Sequence, residues 1–136
     1  GNTNAYPTDI RTRADINRWL LWESSSWFGS CYVYLVENCV KPLLGDTTDE
    51  SIIANEQENF HKLASILDAR LKNSTFLCGE DPTIADVAVA APMHLHRWAK
   101  LPLGDHPNLI RWMTKEIENC SWWKETHIGE GFTVSE

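Results

Sequence analysis

No stretch of this chain approaches the roughly 20 consecutive apolar residues that a membrane-spanning helix needs, and no charged-then-apolar signal segment opens it. With both missing, the expectation is a soluble, cytoplasmic protein with no membrane partner. Positive charge is also scarce. Lys and Arg number 12 against 19 Asp and Glu, a formal net charge of −7, too few cations to neutralise a phosphate backbone, so no nucleic-acid partner is expected. The one basic cluster, Arg11, Arg13 and Arg18, reads as solvated or interdomain charge at a helix start. Cys31, Cys39, Cys78 and Cys120 form no C-x-x-C pair, which removes zinc and dithiol redox motifs and leaves reduced thiols. His94 and His96 are two apart, about 200° around a helix, and cannot share one metal ion. His61, His106 and His127 lack ligand-spaced carboxylates or cysteines, so no metal is expected. With no G-x-S-x-G either, no catalytic residue is assigned to the chain.

What is present is helical. The 136 residues, 43% hydrophobic and 23% charged, suit one globular domain with a core of its own. Period-two alternation never persists. Tyr32-Val33-Tyr34-Leu35-Val36 is the one β-prone run, and its flanks keep a 3.6-residue period, so it is read as helix. The pattern predicts an all-α bundle of about five helices. The first spans about 9 to 38, bending at the Gly29-Ser30 pair, with Pro42 closing the segment. The second spans about 49 to 72 with Ile53, Phe60, Leu63, Leu67 and Leu71 in one stripe, capped by Thr47 or Thr48. A third runs from Thr83 to about Arg97, kinked at Pro92. A fourth starts at Pro107 and buries Leu109, Trp112, Met113 and Ile117. A short fifth holds Ser121 to Glu125, and the tail to Glu136 has no pattern. Residues 1–8 read as linker and 9–136 as the helical domain.

The most informative stretch is Phe76-Leu77-Cys78-Gly79-Glu80-Asp81-Pro82-Thr83-Ile84-Ala85-Asp86-Val87. Gly79 suits a reversal that needs positive φ. Thr83 followed three residues later by Asp86 is a capping box, in which the hydroxyl and the carboxylate each satisfy a backbone N–H that the first helical turn leaves orphaned. The residues that follow, Ile84 to Ala91, are nearly all apolar, so the helix is expected to be buried on all sides. Asp86 is therefore read as a capping residue rather than a general base.

This stretch, with its aromatic residue, Gly and Pro-Thr-Ile-Ala-Asp, resembles the motif of the all-helical C-terminal domain of cytosolic glutathione S-transferases. Tyr6-Pro7-Thr8-Asp9-Ile10, leading into Arg11 to Leu20, is similar to the interdomain linker and first helix of that domain. His106-Pro107-Asn108-Leu109-Ile110-Arg111-Trp112 is similar to its penultimate helix start. The three matches fall in family order along nearly the whole chain.

The resemblance implies a division of labour. A thioredoxin-like N-terminal domain would hold glutathione, the co-substrate of the parent protein, and supply the thiol-activating Ser, Tyr or Cys, a cis-proline and an acidic-residue/Ser dipeptide. None of these has a place in this chain; Glu23-Ser24 and Glu50-Ser51 are acidic-residue/Ser pairs but lie in or at the start of helices. The chain itself would hold no cofactor and would not activate a thiol. Its share would be the wall for a hydrophobic electrophile, in a detoxification-type transfer, and the surfaces toward the thioredoxin-like domain and a homodimer partner. By position that wall would use Trp27, Phe28, Cys31 and Tyr32, with contributions from the third helix and the tail; whether Trp27 and Phe28 line a pocket or fill the core stays open. Trp22 would face the dimer partner, while Trp19 and Trp112 fall on core stripes. The alternative is a non-catalytic protein-docking module, as in translation elongation factor or aminoacyl-tRNA synthetase complexes.

Overall fold

The computed structural model describes residues 4–126, and its regular elements are five helices with no strand among the described residues. Helix α1 covers residues 10–43. The Asp9 carboxylate starts it by accepting from the Thr12 N–H at 2.9 Å. The rod is not uniform. Ile10–Trp22 and Phe28–Leu35 are α-helical, but Glu23–Trp27 and Val36–Val40 are wide π turns in which the N–H bonds the carbonyl five residues back, before a last turn at Lys41–Leu43. The irregularity expected at Gly29-Ser30 therefore falls on either side of it, and Gly29 lies within a regular stretch. The second wide turn leaves one carbonyl to be satisfied from outside the helix. Pro42 has no N–H to offer the Glu37 carbonyl in that register, and the Thr48 hydroxyl donates to it instead at 2.8 Å.

Helix α2, Glu50–Leu71, is capped by Asp49, which accepts from the Ser51 N–H at 3.0 Å, rather than by Thr47 or Thr48. Buried Glu37 joins α1 to this start: its Oε1 accepts from the Asp49 N–H at 2.8 Å and from Lys41 at 2.7 Å. The expected stripe is real, with Phe60, Leu63, Leu67 and Leu71 all in the core. The chain then reverses through Phe76–Gly79, where the Phe76 N–H donates to the Gly79 carbonyl at 2.9 Å and Gly79 adopts φ 141°.

Helix α3 is Ile84–Ala90 continued by a tighter 3₁₀ turn at Ala91–Met93. Pro92 ends the α-helical ladder outright rather than kinking a helix that reaches Arg97. Beyond it the chain proceeds by single turns to Lys100, the only non-glycine residue with positive φ among those described. Helix α4 spans residues 107–117, with Pro107 in its first turn and a π segment from Trp112 to Ile117. Asp68, from α2, caps it across the bundle, accepting from the Asn108 and Leu109 N–H groups at 2.7 and 3.0 Å. Helix α5 is Ser121–Thr126.

The core lies where α1 packs on α2 and α3, and α2 on α4. Trp27, Phe60, Trp112, Ile16 and Met113 are fully buried there. Residues read as linker also dock on this body. The Ile84 N–H donates to the Ala5 carbonyl at 2.9 Å, the Tyr6 hydroxyl donates to Asn17 at 3.0 Å, and Arg13 sits 4.2 Å over the Tyr6 ring while donating to the Pro7 carbonyl.

Candidate functional site

Two stripes of α1, offset by one residue, set up the site. Trp27, Cys31 and Tyr34 are spaced to share one face, and that face points inward: they are 0%, 1% and 2% exposed. The Trp27 indole N–H donates to the Val89 carbonyl of α3 at 3.0 Å. Phe28, Tyr32 and Leu35 form the neighbouring face, and it lines a cleft of about 380 Å³. Across the cleft stand Ala88, Ala91, Pro92 and His94 from α3 and the turn after it. The Phe28 and Tyr32 rings stack with centroids 5.6 Å apart and 16° between planes, and each is 49% exposed. Small residues on the α3 side leave the room these rings face. Of the four residues assigned by position to the wall, Phe28 and Tyr32 thus stand at the cleft, while Trp27 and Cys31 lie beneath it in the core.

Helix α3 is correspondingly not buried all round. Val87 is 43% exposed, and Ala88 and Ala91 meet the cleft, so its apolar composition serves an open face as well as the core. Glu23, in the first wide turn, also lines the cleft, and burial raises its carboxyl above the usual range. In the sequence Glu23 reads as a position on the first helix and as half of an acidic-residue/Ser pair, with nothing to mark it as a wall residue. Ser24 instead turns its hydroxyl back to the Leu21 carbonyl at 3.2 Å, as serines within helices do.

Beneath the cleft, the capping box of α3 is in place. The Thr83 N–H donates to Asp86 Oδ2 at 2.9 Å, and the Thr83 hydroxyl accepts from the Ala85 N–H at 3.2 Å. Asp86 does more than cap. Its Oδ1 accepts from the Leu77 N–H and the Trp112 indole N–H, both at 2.9 Å, tying the Gly79 turn, α3 and α4 to one fully buried carboxylate. Burial raises its pKa and these donors oppose the rise. Nothing here resembles a base open to a substrate.

Thiol chemistry has no seat in the described residues. Burial pushes the Cys31 thiol far up, reinforced by the negative charges of Glu23 and Glu56; Cys39 is raised to about 11 and Cys78 to about 12, and Cys120 is raised as well. All four cysteines are free thiols. The two histidines of the H-x-H pair lie in the turns after α3 rather than on a helix, and they take separate partners: His94 Nδ1 lies 2.9 Å from the Ala91 carbonyl and His96 Nε2 lies 2.7 Å from Glu118. No cluster of three or more metal-ligating side chains occurs among the described residues.

The family model described as "Glutathione S-transferase, C-terminal domain" matches residues 32–119. The chain belongs to that family. Its curated relatives include glutathione S-transferase F14 of Arabidopsis thaliana, 25% identical over 127 residues, covering 90% of this chain and 50% of that protein. They also include a putative elongation factor 1 gamma homolog of Saccharomyces cerevisiae, 28% identical over 120 residues, covering 82% of this chain and 49% of that protein. Among solved structures, glutathione transferase F7 from Populus trichocarpa superposes with a TM-score of 0.83 at 21% identity, covering 98% of this chain and 62% of that one. The chain spans about half the length of the curated relatives it matches.

As a glutathione S-transferase C-terminal domain, the chain presents an all-α bundle with an aromatic cleft on α1. The tail that the resemblance assigned to the wall lies, from residue 127 on, outside the described residues. No helix among the described residues is long and apolar enough to cross a membrane. Trp22, assigned to a dimer partner, packs within its own chain, its ring stacked 5.7 Å from Trp27 and edge-on to Trp19 at 5.4 Å.

Proposed function

We propose that this domain provides the electrophile-binding wall for glutathione conjugation, working with a thioredoxin-like domain that binds and ionises glutathione. In that reaction the glutathione thiolate forms a C–S bond to the electrophile, the leaving group departs with its electron pair, and the thiol proton passes to solvent. The observation that carries the reading is the stacked Phe28–Tyr32 pair, half-exposed in an apolar cleft of about 380 Å³, a size and lining suited to a small aromatic ligand. The raised thiols agree with it, since no cysteine here is poised as a nucleophile. Cytoplasmic location and a homodimer belong to the same reading. Exposed Leu43 at the end of α1, Leu44 just beyond it, and Ile52 and Ile66 on α2 leave apolar surface that supports a partner.

The test is binding of 2,4-dinitrotoluene, an unreactive likeness of dinitrophenyl electrophiles, followed by quenching of tryptophan fluorescence. The wild-type domain should bind it, and Phe28→Ala should weaken binding by about tenfold, roughly the loss of one aromatic stack. Equal binding by both proteins would remove the cleft from consideration. A second reading is favoured by the relative named as an elongation factor 1 gamma homolog: the domain as a docking module without catalysis. That reading predicts that joining a thioredoxin-like domain yields no conjugation of 1-chloro-2,4-dinitrobenzene.

A further inference from the structure

Glu23 is the one acidic side chain among the described residues that line the cleft, and backbone geometry places it there. In a regular α-helix residues five apart point about 140° away from each other. Here the Phe28 N–H bonds the Glu23 carbonyl across a π turn, so Phe28 lies about one turn further along and much nearer the Glu23 side of the helix than regular α geometry would put it. That one extra residue per turn aligns Glu23, Phe28, Tyr32 and Leu35 along a single wall. The Glu23 carboxylate forms no hydrogen bond or ion pair with any described residue. No Lys or Arg stands among the described residues that line the cleft. Across it, His94 keeps its Nδ1 on the Ala91 carbonyl at 2.9 Å. A carboxylate held beside an aromatic platform, with no described donor on its acceptor sites, is suited to recognise a donor on a ligand.

We infer that Glu23 determines which ligands this cleft accepts, favouring flat aromatic molecules that carry a cationic or hydrogen-bond-donor substituent and turning away anionic aromatics. This rests on the cleft reading above and adds its selectivity. The ring stacks on Phe28 and Tyr32, and the substituent reaches down one turn to the Glu23 oxygens. Burial that raises the Glu23 pKa also means that the bare carboxylate lacks part of its hydration, which a ligand donor replaces. An anionic substituent would meet a like charge with little water between them.

The test uses three ligands of one shape, 2-naphthylmethylammonium, 2-naphthylmethanol and 2-naphthoate, titrated calorimetrically into the 136-residue protein at pH 7.5. Wild type should bind the ammonium about tenfold or more tightly than the carboxylate, with the alcohol between. Glu23→Gln should bring the two charged ligands within about threefold while holding the alcohol nearly constant, since the Gln oxygen still accepts. Glu58→Gln, an exposed α2 change that alters net charge equally, should leave the wild-type ratio intact and so separates Glu23 from the general acidity of the protein. An unchanged ratio in Glu23→Gln, with the alcohol still weakened by Phe28→Ala, overturns the role of Glu23 and spares the cleft. Failure of Phe28→Ala to weaken the alcohol overturns both.

Discussion

Asp86 and Glu23 are two carboxylates whose pKa values burial raises in the same direction, yet the chain treats them oppositely. Asp86 is fully buried and accepts from the backbone N–H groups of Leu77 and Thr83 and from the indole of Trp112. Glu23 stands at a cleft with no described partner. A buried charge is tolerable only where donors surround it, so the first region is a joint that fixes three segments. The second has acceptor capacity that no described residue uses. Satisfaction of the charge, rather than the size or cause of its pKa shift, separates a structural carboxylate from one available for recognition.

The sharpest way to break that contrast is Asp86→Ala. Three buried donors lose their acceptor together, each worth about 1–3 kcal/mol when orphaned, so a loss of roughly 3–5 kcal/mol is expected in urea unfolding, a large part of a domain's usual stability. A loss below about 1 kcal/mol would refute the joint. Trp112→Phe is the next in size, at about 2 kcal/mol, because it removes one charge-assisted donor and some buried volume. Its deficit should depend on pH. The lost bond favours ionised Asp86, so the gap from wild type should be widest near neutral pH and shrink as Asp86 protonates. A gap constant with pH would mean that only packing was lost.

How much of each region could be read in advance follows from the distance its contacts span. The Thr83–Asp86 pair is local, three residues apart, and its chemistry is written in the spacing. The indole of Trp112, 26 residues on, is tertiary, and nothing in the spacing announces it. On α1 helical spacing allows two adjacent apolar stripes, Trp27/Cys31/Tyr34 and Phe28/Tyr32/Leu35, and both are hydrophobic enough for a core. Which one faces α3's backbone and which faces open space depends on helix rotation, which composition leaves undetermined. Glu23 was harder still, because regular helical geometry places it away from Phe28, and only the wide turn brings the two together. Pro42 and the Thr48 hydroxyl similarly act through a register that single residues do not specify.

The smallest effect tests the other half of the contrast. At Glu23 no donor is orphaned by Glu23→Gln, so the fold should lose nothing. The sign of the pH dependence is fixed by the raised pKa: the native state holds the Glu23 proton more tightly than the unfolded chain, so the stabilising contribution is full below the ordinary glutamate value of 4.5 and is lost as pH rises through the folded value. Above that window the ionised carboxylate is a cost that the glutamine does not carry. Glu23→Gln should therefore match wild type in acid and equal or slightly exceed it at pH 7, within about 0.5 kcal/mol because solvent reaches the cleft and screens the charge. Measured by urea unfolding at pH 4 and pH 7, a destabilised Glu23→Gln at neutral pH would reveal a hidden partner for Glu23. It would then be a second Asp86, and the cleft would lose its recognition group.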